Sequence, residues 1–190
     1  MKTIIVTGDN RELMAKSIEQ VLGKKFTVKK CCDNTPNFFD KLISDVLVME
    51  ADLKDRQVLE VAGGALKHSQ SSILILGNGV HEEPEVTKVL IKEVNSSILF
   101  YDNKAVRDLT QGSNVYTFGL EDGADFRASD ININGHTNFK VNYKGSSIPI
   151  WQEGVSGNEN VYSGLAASCV GILCGLNFVE ISDALKNKRV

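Results

Sequence analysis

Short apolar runs alternate with amphipathic stretches through the first 120 residues of the chain. Ile4, Ile5 and Val6 form the first run, closed by Thr7-Gly8. An apolar run without alternation marks a strand covered on both faces. Met14, Ile18, Val21 and Leu22 then recur at helical spacing, which predicts a helix over 11–22 ended by Gly23. The pattern repeats: strands at 26–31, 46–49, 73–76, 98–101 and 115–118, helices at 56–66, 84–94 and 104–109. A further short helix is expected after Thr35-Pro36, through Phe38, Phe39, Leu42 and Ile43. Alternating strands and helices imply a parallel sheet with helices on both faces and right-handed crossovers.

The period then changes. Segments 126–134, 138–144 and 147–151 alternate apolar and polar residues and are joined by turns at Gly135 and Gly145. They read as a three-stranded antiparallel meander. Two helices are expected to close the chain, at 160–174 and 178–185. The first carries a small-residue face of Gly164, Ala167 and Gly171. The fold class is therefore α/β: a doubly wound parallel sheet of three layers over 1–120, an antiparallel meander over 121–152, and C-terminal helices over 153–190. With 190 residues and no long linker, the chain reads as a single domain.

Composition narrows the function. A hydrophobic fraction of 42% and a charged fraction of 24% are those of an ordinary globular protein. The net charge of −3, with no basic cluster among aromatics, speaks against nucleic acid or an anionic membrane as partner. A protein or small molecule is the expected partner instead. Cys31, Cys32, Cys169 and Cys174 form no C-x-x-C pair and read as small hydrophobes in a reducing compartment. The first residues lack the apolar length of a signal peptide, so a cytoplasmic location is expected.

Chemistry is first suggested by TIIVTGDNRELMAKSIEQVL, Thr3 to Leu22. A strand, a glycine turn and a helix make the frame that holds a phosphate, because free N–H groups and the helix dipole favour an anion there. A phosphate loop also needs a second glycine, a lysine and a hydroxyl for Mg²⁺. This chain has Arg11, Glu12, Leu13 and Met14 in those places. The Glu12 carboxylate repels a phosphate where a lysine attracts one. The plain reading is a tight turn with Asn10 capping the helix.

The stretches TFGLEDGADFRASDI, GHTNFKVNYKG and GNENVYSGLAASCVGILCGLNFVEISDAL resemble the central domain of the Mur ligases, most of all the branch that adds the D-alanyl-D-alanine dipeptide. These are ATP-dependent amide ligases of peptidoglycan synthesis. The resemblance is specific over 115–185 and topological over 1–114. It implies a parallel sheet, a three-stranded antiparallel part and a helix opened by a Gly-x-His-Asn segment. It also implies ATP and Mg²⁺ as cofactors if the activity survives. The domains that flank the central one in the family are expected to be absent, since the chain opens directly before the phosphate-loop strand and ends at Val190.

The resemblance carries the family's T-G-x-N-G-K-T-T loop onto Thr7, Gly8 and Asn10, with Arg11 in place of glycine, Glu12 of lysine, and Leu13 and Met14 of the threonines. It carries the metal-binding acid onto Glu50, and a histidine segment onto Asn78, Gly79 and His81 at altered spacing. Lys88 and Lys92 are candidates for a carbamylated lysine. Asp102 and Asn103 fall on a turn near the nucleotide. Gly157 and Asn160 fall on the base-contacting segment, where Glu159 replaces histidine and Ser163 the second asparagine. Thr7, Gly8, Asn10, Asp102, Asn103 and Asn160 thus form a vestigial nucleotide site, with Glu50 and His81 as candidate metal ligands. Each has a plain reading: Asn160 as a helix N-cap, Glu50 as a solvated or helix-capping carboxylate, His81-Glu82-Glu83 as an exposed loop, and Lys88 as a salt-bridged surface residue. With the loop residues lost, the expected function is that of a non-catalytic binding or regulatory domain related to cell-wall peptide ligases, with no cofactor. Two alternatives stand beside it. One is a module of an ATP-dependent ligase that needs other domains. The other is a binder of a different small ligand at the carboxyl edge of the sheet, rimmed by Gly8, Glu50 and Asn78.

Overall fold

The structure is a computed structural model and describes residues 1–31, 44–80, 84–109, 114–153 and 156–186. In chain order the elements are β1 (Lys2–Thr7), α1 (Arg11–Leu22), β2 (Val28–Cys31), β3 (Val46–Ala51), α2 (Arg56–Lys67), β4 (Ser71–Leu76), α3 (Pro84–Glu93) and β5 (Ser96–Phe100). They continue with α4 (Lys104–Arg107), β6 (Val115–Gly119), β7 (Phe126–Ile133), β8 (Thr137–Tyr143), β9 (Ser146–Gln152), α5 (Asn158–Leu173) and α6 (Phe178–Lys186). The helix expected after Thr35-Pro36, and His81, lie outside the described residues.

Among the described residues nine strands form one sheet, in the order β2-β3-β1-β4-β5-β6-β7-β8-β9. Pairing is parallel from β2 to β7 and antiparallel from β7 to β9. The meander is therefore continuous with the main sheet rather than a separate layer. The join is narrow: only Phe118↔Phe126 and Gly119↔Arg127 pair. A six-residue connection cannot carry a full parallel crossover, but it can bring the start of β7 beside the end of β6.

Strand side chains alternate between two cores. Ile4, Val6, Val46, Val48, Ile73 and Ile75 face α1, α5 and α6. Ile5, Leu47, Met49, Leu74 and Leu76 face α2, α3 and α4. This two-sided burial is why the strands read as continuous apolar runs. On α1, Met14, Ile18, Val21 and Leu22 are buried as their spacing requires. Each such side chain contributes about 1.5–3 kcal/mol by leaving water.

The small-residue face of α5 has a packing purpose. A Cβ at Gly164 would lie 2.7 Å from Phe139 Cζ on β8, and one at Gly171 would lie 2.9 Å from Val21 Cγ1 on α1 and from Ile181 Cδ1 on α6. Ser17 on α1 donates its hydroxyl to Ser163 on α5 at 3.3 Å. The helix is thus wedged between α1, α6 and the meander, buried nearly all round from Asn160 to Gly171. Among the described residues no helix is long and apolar enough to cross a membrane. Burial pushes the Cys169 and Cys174 thiols up, consistent with core residues rather than nucleophiles.

A pair of glycine substitutions tests this packing. Gly63 lies inside α2 with nothing within 4 Å of a built Cβ. Gly63→Ala should raise stability by about 0.5–1 kcal/mol through helix propensity alone. Gly164→Ala gains the same propensity but meets Phe139, and should lower stability by about 1–3 kcal/mol. Urea unfolding midpoints with unchanged m-values read both.

Candidate functional site

The chain leaves β1 toward β2 on one side and leaves β4 toward β5 on the other. Their carboxyl ends are neighbours in the sheet, so the two following loops diverge. This is the switch point at which open α/β sheets form their ligand crevice. The loops in question are Gly8-Asp9-Asn10 and Gly77-Asn78-Gly79.

The two loops touch. Gly8 has φ +87°, and a Cβ there would lie 2.4 Å from the Asn78 carbonyl oxygen. The Asp9 N–H donates to that oxygen at 2.7 Å, and the Gly77 N–H donates to Thr7 O at 3.1 Å. Gly8 therefore serves close approach of the protein's own backbone. In a phosphate loop such an approach and such an N–H are directed at the ligand. The side chains continue the contact: Asn78 Nδ2 donates to Asp9 Oδ2 at 3.0 Å, and Asn103 Nδ2 donates to Asn78 Oδ1 at 2.8 Å. Asn103 also caps α4, its Oδ1 accepting from Ala105 N–H at 2.9 Å.

Asn10 holds the N-cap position of α1 as expected, but not by its side chain. Its backbone is left-handed, φ 57° and ψ 22°, and its side chain makes no cap hydrogen bond. Arg11 turns outward to Asp52 after β3, with Nη2 3.3 Å from Oδ2. This partly exposed pair contributes little stability. Glu12 is exposed in the first turn of α1, where the dipole favours an acid.

Two small cavities flank the Asp9–Asn78 bridge. One, of about 150 Å³, is lined by Asp9, Arg11, Asp52 and Lys54. The other, of about 130 Å³, is lined by Asp9, Asn10, Asn78, Phe100, Tyr162 and Glu159 among others. Gly8, Asn10 and Asn78 are thus brought together at the crevice, with Asn103 one hydrogen bond behind.

Thr7 and Asp102, also expected at a nucleotide site, make contacts within the chain. Thr7 is fully buried and donates its hydroxyl to Ile75 O at 2.8 Å, tying β1 to β4. Asp102 accepts from Leu120 N–H at 2.8 Å, Glu121 N–H at 3.0 Å and the Tyr162 phenol at 2.9 Å. Its carboxylate binds the turn after β6 to α5. A Cβ at Gly119 would lie 2.3 Å from Asp102 Oδ1, so that glycine makes room for it.

Two plain readings are corrected. Asn160 is not the N-cap of α5: the helix starts at Asn158, Gly157 holds the cap, and Asn160 is buried in the first turn. Gly157, with φ 132° and ψ 154°, turns the chain into the helix earlier than an asparagine cap at 160 would. Glu50 is not solvated. It is 8% exposed, with Oε1 3.1 Å from Lys30 Nζ. Lys30 pairs with Val48, so Glu50 two residues on lies on the same face of the adjoining strand. The Lys88 reading matches, with Nζ 2.8 Å from Glu85 Oε1 on the surface. That ammonium holds the Glu85 carboxyl below its usual range. Among the described residues no three His, Cys, Asp or Glu side chains gather as a metal site.

Fold and site define a doubly wound α/β domain with a crevice at the carboxyl edge of its sheet. Sequence and fold comparisons point the same way: the chain resembles Mur ligase central domains. It is 27% identical over 161 residues to the UDP-N-acetylmuramate–L-alanine ligase of Aquifex aeolicus, covering 76% of this chain and 34% of that protein. The corresponding ligase of Chlorobium phaeobacteroides is 28% identical over 156 residues, covering 73% and 32%. The chain thus spans about a third of the length of the curated relatives it matches. MurF from Acinetobacter baumannii superposes with a TM-score of 0.77 at 12% identity, over 100% of this chain and 46% of that one. A pseudomurein peptide ligase type C from Methanothermus fervidus gives 0.74 at 15%, over 100% and 50%. MurF from Thermotoga maritima, solved in complex with ADP, gives 0.72 at 17%, over 95% and 48%. No family model matches the chain.

Gly8→Ala combines a strained positive φ with a backbone clash and should cost about 3 kcal/mol, read as a lowered urea midpoint. Tyr162 gives a pH test. Burial, and then its bond to Asp102, push the phenol well above its ordinary pKa of 10.0. The folded chain keeps that proton where the unfolded chain loses it, so stability should fall as pH rises above about 10. Tyr162→Phe should cost about 1 kcal/mol at neutral pH and make this decline shallower.

Proposed function

We propose that this chain is a Mur-ligase-like domain that no longer turns over ATP and acts by binding, as a non-catalytic or regulatory relative of the cell-wall peptide ligases. The observation that carries the reading is the contact between the Gly8 and Asn78 turns. The N–H of Asp9 and the open face of Gly8 meet the chain's own carbonyl, at 2.7 Å for the hydrogen bond. The charges support it. Phosphoryl transfer rests almost wholly on positioned positive charge. Here Glu12 occupies the lysine's place, Asp9 sits over the turn, and Arg11 is paired to Asp52.

The second reading, an ATP-dependent carboxylate–amine ligase module, is favoured by the intact frame of β1, the glycine turn and α1. In that case a substrate carboxylate would be phosphorylated and the acyl phosphate attacked by an amine, with ATP and Mg²⁺ as cofactors. The acid at the metal position, Glu50, would first have to leave Lys30.

Calorimetry with Mg-ATP separates the two. The proposed reading expects no saturable heat up to about 1 mM nucleotide and no phosphate release. A dissociation constant below that concentration, or any ATP-dependent phosphate release that Gly8→Ala abolishes, would establish the ligase reading instead.

A further inference from the structure

The chain holds two Asn-Gly pairs, Asn78-Gly79 after β4 and Asn134-Gly135 in the turn between β7 and β8. The fold treats them in opposite ways. Independently of any ligand, we infer that Asn134 is a site of spontaneous covalent modification. There the Gly135 nitrogen displaces the side-chain amide and leaves isoaspartate and aspartate, while Asn78 is protected by its contacts.

The chemistry needs no co-reactant but water. The Gly135 amide gives up its proton, and its nitrogen attacks Asn134 Cγ. The Cγ–Nδ2 bond breaks, and Nδ2 leaves as ammonia with the proton that Gly135 gave up. The product is a cyclic succinimide. Water attack at Cγ breaks the bond just formed and gives aspartate. Attack at the Asn134 carbonyl carbon breaks the original peptide bond instead and gives isoaspartate, whose chain runs through Cγ. In either case water supplies the new carboxyl oxygen. Glycine favours the first step because no Cβ crowds the nitrogen.

At Asn134 the surroundings permit this step. Asn134 and Gly135 are both exposed, and a Cβ built at Gly135 would meet nothing within 4 Å. The Asn134 side chain is held by one bond, Nδ2 to Asn132 Oδ1 at 2.7 Å, and an exposed amide bond exchanges readily with water. At Asn78 the surroundings oppose it. Nδ2 donates to Asp9 Oδ2 at 3.0 Å, and Oδ1 accepts from Asn103 at 2.8 Å. The Asn78 carbonyl accepts the Asp9 N–H at 2.7 Å, which fixes the peptide plane that would have to turn. Cγ therefore cannot swing toward the Gly79 nitrogen without breaking these bonds. Asp9 Oδ1 also lies 2.8 Å from the place of a Gly79 Cβ, and a carboxylate there disfavours the nitrogen anion that attacks.

Conversion at Asn134 acts on the meander. The turn closes at the pair Ile133↔Thr137, and its His136 stacks on Trp151 of β9 with centroids 5.1 Å apart. Loop length sets hairpin register, so the longer isoaspartyl backbone loosens that closure. The new carboxylate also faces Asn132 Oδ1, an acceptor that has lost its donor.

The test is peptide mapping by mass spectrometry of the full chain, aged folded and aged in urea, in ¹⁸O-labelled water. In the folded chain Asn134 should convert to labelled isoaspartate and aspartate, with Asn78 about tenfold slower. In urea the two sites should convert at similar rates. Asp9→Ala keeps the backbone bond to Asn78 but removes the carboxylate, and should speed conversion of Asn78 in the folded chain. The isoaspartyl form, separated by ion exchange, should unfold at lower urea than the Asn134→Asp variant, which has the charge without the longer backbone. Equal rates at the two sites in the folded chain, faster conversion of Asn78, or aspartate without isoaspartate at Asn134 would overturn the inference.

Discussion

The contact between the turns after β1 and β4 governs the carboxyl edge of this protein. Two parallel strands with diverging connections leave a gap between their following loops. Here Gly8 and Gly77 let the backbones close that gap to hydrogen-bonding distance. Everything nearby takes its place from this closure. Asp9 is laid over Asn78, Asn78 is oriented between Asp9 and Asn103, and Asn103 starts α4. A short chain of amide and carboxylate side chains thus spans β1, β4 and β5 where a bound phosphate could have done so.

A second constraint sets what lies above the crevice. Helix α5 must fit between α1, α6 and the meander, and its glycines admit Phe139, Val21 and Ile181 at near-contact distance. That wedge brings the start of α5, and with it Glu159 and Tyr162, over the end of β5. Asp102 fastens the arrangement from below, accepting the Tyr162 phenol and two N–H groups of the turn after β6. Three donors on one carboxylate make a strong local tie, since hydrogen bonds to an ionised acceptor are about twice as strong as neutral ones. The two halves of the chain, joined in the sheet by only two residue pairs, are thereby locked at the crevice.

Much of the fold was legible in the sequence because two-sided burial leaves an unmistakable trace. Runs such as Ile4-Ile5-Val6 and Val46-Leu47-Val48-Met49 carry no polar position, and both are central strands of the sheet. The change to alternation at Phe126 marked the meander correctly, since its outer face is not covered by helices. The continuity of meander and main sheet was not legible, because two pairing residues leave no periodic signal. At the site, the departure from a phosphate-loop pattern was plain, but the contacts that the turn residues make within the chain were not. Lys30 reaches Glu50 through strand register, and Asn78 reaches Asp9 across 69 residues of sequence. Asn160 misled because asparagine suits a cap, whereas Gly157 took that position through a backbone conformation open to glycine. Asp102 had one usable signal. Gly119 stands at the end of β6, beside β5, and the acid just beyond β5 needs the space a missing Cβ leaves.

The charges at this edge are of both signs. Glu12 is exposed in the first turn of α1, where the helix dipole favours an acid. Arg11 beside it pairs with Asp52 beyond β3. Charge alone therefore does not set this edge apart. Its backbone does: Gly8 admits the Asn78 carbonyl, and the Asp9 N–H donates to that carbonyl, so the donor that a strand–glycine–helix turn can offer to an anion is directed at the chain itself.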